Sequence, residues 1–93
     1  MNDRPIHKNL STSFVDIDAL VRHLRDLQFV GRIHIEHSTY EADIIFTPSY
    51  RMQAREHDFA ARFVSDGEQA FQRILSRARE PHGRIHVYQS VSD

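Results

Sequence analysis

Histidine is the residue of this chain best equipped for chemistry, and it sits in a repeated setting. The tetrapeptide Gly-Arg-Ile-His occurs at residues 31–34 and again at 83–86, and the first copy runs on as His34-Ile35-Glu36-His37. On a helix, histidines about four apart share a face and can hold one metal ion. Residues 32–37 instead alternate polar and apolar, which is the pattern of a half-buried strand. Three apart on a strand, His34 and His37 point to opposite faces and do not chelate one ion. His34 and His86 meet if their strands are neighbours, with Asp43 beside His34 if residues 41–47 form the second arm of a hairpin. Two imidazoles and a carboxylate around an open position make a zinc site of catalytic type. The simpler expectation is a surface pair of His34 and Asp43, worth about a few tenths of a kcal/mol.

Other chemistry has less support. There is no cysteine, so disulfides and thiolate metal sites are excluded. Neither a phosphate-binding glycine loop nor an activated serine pattern is present. The expectation is a chain that is not an enzyme and carries no cofactor and no metal. A small histidine-dependent metal-binding protein is the alternative.

The elements that must position these residues follow from periodicity. Ser13 and Asp16 fit a capping pattern before an apolar stripe of Ile17, Leu20, Val21, Leu24 and Leu27, which predicts a helix ending near Gln28. Ile33 and Ile35 face inward on the next strand, with Arg32, His34 and Glu36 outward. Ala42, Ile44 and Phe46 face inward on its partner. A loop over residues 37–40 sets His34 against Asp43 and Glu36 against Glu41. That second pair opposes like charges, so another register stays open. A third strand is expected over residues 50–54. Phe59 and Phe63, four apart, predict a helical turn in a longer connection. Ser65 and Glu68 read as a second capping box before a stripe of Ala70, Phe71, Ile74, Leu75 and Ala78. Pro81 and Gly83 end that helix. Residues 83–88 then form the last strand, with Ile85 and Val87 inward and Arg84, His86 and Tyr88 outward.

Ninety-three residues suit one domain. The expected fold is α+β: a mainly antiparallel sheet of about four to five strands with two main helices packed on one face. Residues 1–8 read as a flexible arm, 10–14 as a short first strand, 9–89 as the domain and 90–93 as a frayed end. The two Gly-Arg-Ile-His copies are 52 residues apart, whereas the helices before them align at 51. Duplication and convergence both produce this. Convergence is favoured, since glycine suits the turn after a helix and β-branched residues suit strands.

The segments "NLST", "DALVRHL", "GRIHIEH", "EADIIF", Ala54, "DGEQAFQRIL" and "PHGRIHVY" together resemble the PATAN domain, the PatA N-terminal type of bacterial signalling domain. The matching positions are Gly31, Ile33 and Ile35, then Ile44 and Phe46, then Ala54, Gly67, Glu68, Ala70, Leu75, Gly83 and Ile85. Thr47-Pro48-Ser49 stands where that family often has a glycine turn. The resemblance implies a non-catalytic regulatory module that acts by binding protein. The implied partner is a signalling protein or small GTPase regulator.

Charge and hydropathy are consistent with such a role. The net charge is −1, from 12 basic and 13 acidic residues, so no nucleic-acid partner is expected. The basic cluster of Arg73, Arg77, Arg79, His82 and Arg84 has a separate explanation, since Arg73, Arg77 and Arg79 suit the C-terminal end of a helix. Neither a signal peptide nor a membrane-length apolar run is seen, which predicts a cytoplasmic protein without membrane contact. The candidate partner-binding residues are the outward set on the sheet: Arg32, His34, Asp43, Ile45, Arg84, His86 and Tyr88. Arginine, tyrosine and a stray isoleucine on one face suit an interface with a partner or a second copy of the chain.

Overall fold

The structure, a computed structural model, describes residues 2–13, 15–49 and 51–91. Phe14, Tyr50 and residues 92–93, to which strand and end assignments were given above, lie outside the described residues. The elements in chain order are β1 (Asn2–Ser11), α1 (Ile17–Asp26), β2 (Gly31–His37), β3 (Tyr40–Phe46), β4 (Met52–Asp58), β5 (Phe63–Asp66), α2 (Gly67–Arg77) and β6 (Arg84–Val91). The strands form one six-stranded sheet in the order β1-β6-β2-β3-β4-β5. Every neighbouring pair is antiparallel. The class is the α+β expected, with six strands where four to five were expected.

The added sheet comes from two places. β1 begins at Asn2 and pairs along β6, although its polar sequence reads as an arm. Its pairing is interrupted by register shifts between Pro5 and His7 and between His7 and Leu10. β4 continues past Ala54 to Asp58, turns, and returns as β5. The helical turn expected from Phe59 and Phe63 is therefore absent. Phe59 lies in the turn and Phe63 opens the edge strand, and both are exposed. Alternation explains the difference. Along β4 the inward positions after Ala54 are Glu56 and Asp58, both buried, so charged residues continue the strand through "REHD".

The hydrophobic stripes meet as expected. Ile33, Ile35, Tyr40, Ala42, Ile44, Phe46, Ala54, Ile85 and Val87 from the sheet join Ile17, Val21 and Leu24 of α1 and Ala70, Ile74 and Ala78 beside α2. Burying side chains of this size contributes about 1.5–3 kcal/mol each for the larger aliphatics. Leu27 leaves the α1 stripe, being 62% exposed. It is the helix C-cap, and Gln28 after it adopts a left-handed φ of 55°, which swings the chain away. Phe29 fills the space instead, with its ring edge-on to Phe46 at 5.7 Å.

Both capping boxes are corrected. Asp16 alone caps α1, accepting from the Ala19 N–H at 3.1 Å. Ser65 belongs to β5 and accepts a hydrogen bond from Arg73, while Asp66, the N-cap of α2, makes no side-chain cap. The glycines of the repeat are corrected too. The left-handed residues after the helices are Gln28 and His82. Gly31 is needed for close approach: a Cβ there would lie 2.1 Å from the Tyr88 carbonyl oxygen.

β1, α1 and β2 form a split β-α-β unit, because β6 inserts between the two strands. β1 and β2 run parallel with β6 between them, and β3 and β6 run parallel with β2 between them. β2 and β6 thus face each other as corresponding strands of the repeat. His34 and His86, equivalent in sequence, are also direct cross-strand partners, so a local two-fold axis passes between them. The one-residue discrepancy lies in the loops: α1 ends at Asp26 before Gly31, and α2 ends at Arg77 before Gly83. No helix among the described residues is long and apolar enough to cross a membrane.

Candidate functional site on the outer sheet face

The face of the sheet opposite the helices carries the polar members of every alternating strand. Strand register orders them into rows across β6, β2, β3 and β4. One row is Tyr88, Arg32, Ile45 and Gln53; the next is His86, His34, Asp43 and Arg55; the third is Arg84, Glu36, Glu41 and His57. The hairpin register is the one expected, including the opposed pair of Glu36 and Glu41. All seven candidate residues lie within these rows, and most are side-chain neighbours.

In the first row the Arg32 guanidinium lies 4.4 Å over the Tyr88 ring and reaches Asp43 Oδ1 at 3.1 Å. Ile45 stands half-buried beside them. In the second row His34 Nδ1 is 2.9 Å from Asp43 Oδ1. The His34 and His86 rings lie 6.0 Å apart, and His86 stacks near Tyr88 at 6.3 Å. His86 is only 8% exposed, so its ring is a support for this face and not a surface contact. Its Nδ1 accepts from the backbone N–H of Asn9 at 3.2 Å. Neutral His86 therefore carries its proton on Nε2, which donates to Glu36 Oε1 at 3.2 Å. Arg84 projects exposed at the edge of the third row.

The electrostatics follow from these contacts. The hydrogen bond to Asp43 raises the pKa of His34 above its ordinary value, overcoming the lowering effect of burial, and the charges of Asp43, Glu41 and Glu36 add to it. Burial pushes the Asp43 carboxyl up, but the hydrogen bond and charge of His34, together with Arg32, outweigh it and hold the carboxyl below its ordinary value. The two partners shift in opposite directions, as an ion pair does.

The zinc arrangement considered from sequence, with His34, His86 and Asp43 as ligands, does not converge. Asp43 takes one nitrogen of His34, while both nitrogens of His86 are engaged elsewhere. Among the described residues, the donor atoms that do converge are those of His34, Glu36 and Glu41, all within 4.8 Å of one another. Sequence reasoning passed over the two glutamates as ligands, although their unfavourable opposition was the signal that could have found them.

A second polar cluster lies on the inner side, under α2, and was not foreseen. Tyr40 donates to Glu56 Oε1 at 2.9 Å, and Arg73 pairs with Glu56 Oε2. Arg77 pairs with Asp58 at 3.4 Å and with Glu80 at 2.8 Å, and its guanidinium lies 4.3 Å over the Tyr40 ring. Burial, then the Glu56 bond and charge, push the Tyr40 phenol well above its ordinary value. These pairings turn Arg73 and Arg77 toward carboxylates and disperse the basic cluster read in the sequence. The signal was available: Glu56 and Asp58 two apart on a strand face Arg73 and Arg77 four apart on a helix.

A cavity of about 500 Å³ lies away from the histidines, between Met52, Ala54 and Arg55 of β4 and Gly67, Glu68 and Phe71 of α2. Comparison with family models, curated proteins and solved structures gives no match to this chain.

Proposed function

We propose that this chain is a non-catalytic regulatory module that binds another protein through the outer sheet face, with Arg32, Ile45, Arg84 and Tyr88 as its principal contacts. One observation carries this. The face opposite the helices holds side chains already fixed by one another: Arg32 by Asp43 and Tyr88, and His34 by Asp43. A surface ordered before contact loses little conformational freedom on binding. Arginine and tyrosine are also the residue types that most often dominate binding energy. The histidines support the face from beneath: His86 by its buried position, and His34 through Asp43. The PATAN resemblance supports a bacterial signalling context and a signalling protein or small GTPase regulator as partner, and a cytoplasmic location completes this reading.

The test is site-specific photo-crosslinking in cells. A crosslinking residue at Arg84 or Gln53 is expected to capture a protein, and one at Arg22 on the exposed side of α1 is not. Arg32→Glu and Ile45→Asp are expected to weaken binding of the captured protein by tenfold or more, which corresponds to about 1.4 kcal/mol. Sedimentation velocity on the purified chain shows whether that protein is a second copy. Binding unchanged in both variants would remove the outer face as the contact surface.

A further inference from the structure

We propose that His34, Glu36 and Glu41 form a site for a divalent cation of the zinc class. The site lies on the outer sheet face, and its existence does not depend on the interaction proposed above.

Strand geometry brings the three together. His34 and Glu36 are two apart on β2 and share a face, and Glu41 is the cross-strand partner of Glu36 on β3. His34 Nε2 is 3.6 Å from Glu36 Oε2. Zinc bonds of about 2.0–2.1 Å at tetrahedral angles set donor atoms roughly 3.3–3.4 Å apart. The trio, within 4.8 Å, needs only small rotations of two glutamate side chains to reach that spacing.

Each of the two inner donors has a partner that aims it. Asp43 holds His34 Nδ1, which fixes the ring with Nε2 toward the carboxylates. A carboxylate behind the non-ligating nitrogen is the usual support of a metal-bound histidine. His86 Nε2 holds Glu36 Oε1, leaving Oε2 toward His34. His86 is itself excluded as a ligand. Its Nδ1 already accepts the Asn9 N–H, so metallating Nε2 would require an imidazolate.

Charge argues in the same direction. Two carboxylates directly opposed across an antiparallel pair repel each other. Arg84, the β6 partner of Glu36, makes no ion pair with either glutamate among the described residues. A neutral imidazole and two carboxylates carry two negative charges, which a divalent cation balances. One nitrogen and two oxygens favour zinc-class ions over magnesium or calcium, which take oxygen alone. Three protein donors leave a fourth position for water or for a donor from a bound partner.

The test is calorimetric titration of the untagged full chain with zinc chloride, with magnesium chloride as control. One zinc per chain is expected, tighter than about 100 μM. His34→Ala is expected to abolish it, Glu41→Gln to weaken it at least tenfold, and Asp43→Asn to weaken it about 10–100-fold. His57→Ala, a histidine on the same face but outside the trio, is expected to leave it unchanged. Glu41→Gln and Asp43→Asn are nearly isosteric, so circular dichroism on them separates lost ligation from lost folding. Absence of zinc binding at 100 μM would overturn the proposal. So would binding that survives the Glu36→Gln/Glu41→Gln double variant but fails in His86→Ala, because the site would then be a histidine pair.

Discussion

His34 and Asp43 are held together across β2 and β3, with Nδ1 2.9 Å from Oδ1. The charges around that imidazole come from two strands, Asp43 and Glu41 on β3 and Glu36 on β2, with the His86 ring beside it on β6. Folding therefore raises the pKa of His34 above 6.5 and lowers that of Asp43. The sign for stability follows. The contribution of His34 is complete below its unfolded value and is lost as pH rises through the higher folded value. The contribution of Asp43 is present above its unfolded value and is lost as pH falls through the lower folded one. In chelator-treated protein, an NMR titration is expected to place His34 above ordinary histidines. Asp43→Asn is expected to bring it down and to flatten the loss of thermal stability above pH 6.5. An unchanged His34 titration in that variant would rule out Asp43 as the cause.

Glu56 lies buried between Tyr40 and Arg73. Glu56→Ala is expected to destabilise the fold by about 2–4 kcal/mol. The figure sits toward the low end for breaking a buried pair because Arg73 stays partly solvated. Glu56→Gln retains an acceptor for Tyr40 and is expected to lose less. Urea denaturation measures both, and equal losses would show that the Tyr40 hydrogen bond contributes nothing.

Gly31 and Gly83 hold equivalent repeat positions but face different obstacles. A Cβ on Gly31 meets the backbone oxygen of Tyr88 at 2.1 Å, so the β2–β6 ladder must open to admit it. A Cβ on Gly83 meets the His37 ring at 2.5 Å and the Thr12 methyl at 2.7 Å, both side-chain atoms, of which the ring can rotate away while Thr12 is held by its hydrogen bonds. Gly31→Ala is expected to cost about 3 kcal/mol or more, and Gly83→Ala about 1–2 kcal/mol. The reverse order in denaturant melts would contradict the crowding explanation.

Thr12 links the two ends of the fold. Its hydroxyl donates to the Glu80 carbonyl at 2.7 Å and accepts from the Gly83 N–H at 3.0 Å. Thr12→Val leaves a buried N–H without that partner and is expected to cost about 1–3 kcal/mol. Hydrogen exchange at the Gly83 amide is expected to accelerate. Unchanged protection there would show that the hydroxyl does not hold the loop.

The two helices, the β2–β3 hairpin and the inward and outward faces of β2, β3 and β6 were legible in the sequence alone, while the opposed Glu36 and Glu41 left the hairpin register open. The reason is that these depend on local periodicity. Ile33, Ile35, Ala42 and Ile44 alternate, and a shift of one residue would turn all of them outward. β4 beyond Ala54 and β5 were not legible, because Glu56 and Asp58 are buried against Arg73 and Arg77 of a helix later in the chain, and the length of β1 was not legible because its polar residues are ordered by pairing with the distant β6. Charge at an inward position reads as solvent exposure until its partner is placed.

The candidate site divides in the same way. Parity along β2 assigned His34 and Glu36 to one face, and the hairpin set Glu41 against Glu36. Long-range pairing places β6 beside β2, which sets His34 against His86 and fixes the His86 tautomer through Asn9. That insertion depends on long-range strand pairing, which no local pattern encodes. It distinguishes two histidines that the sequence presents as equals. The Nε2 of His34 faces a pair of carboxylates, while His86 is locked into the support beneath them.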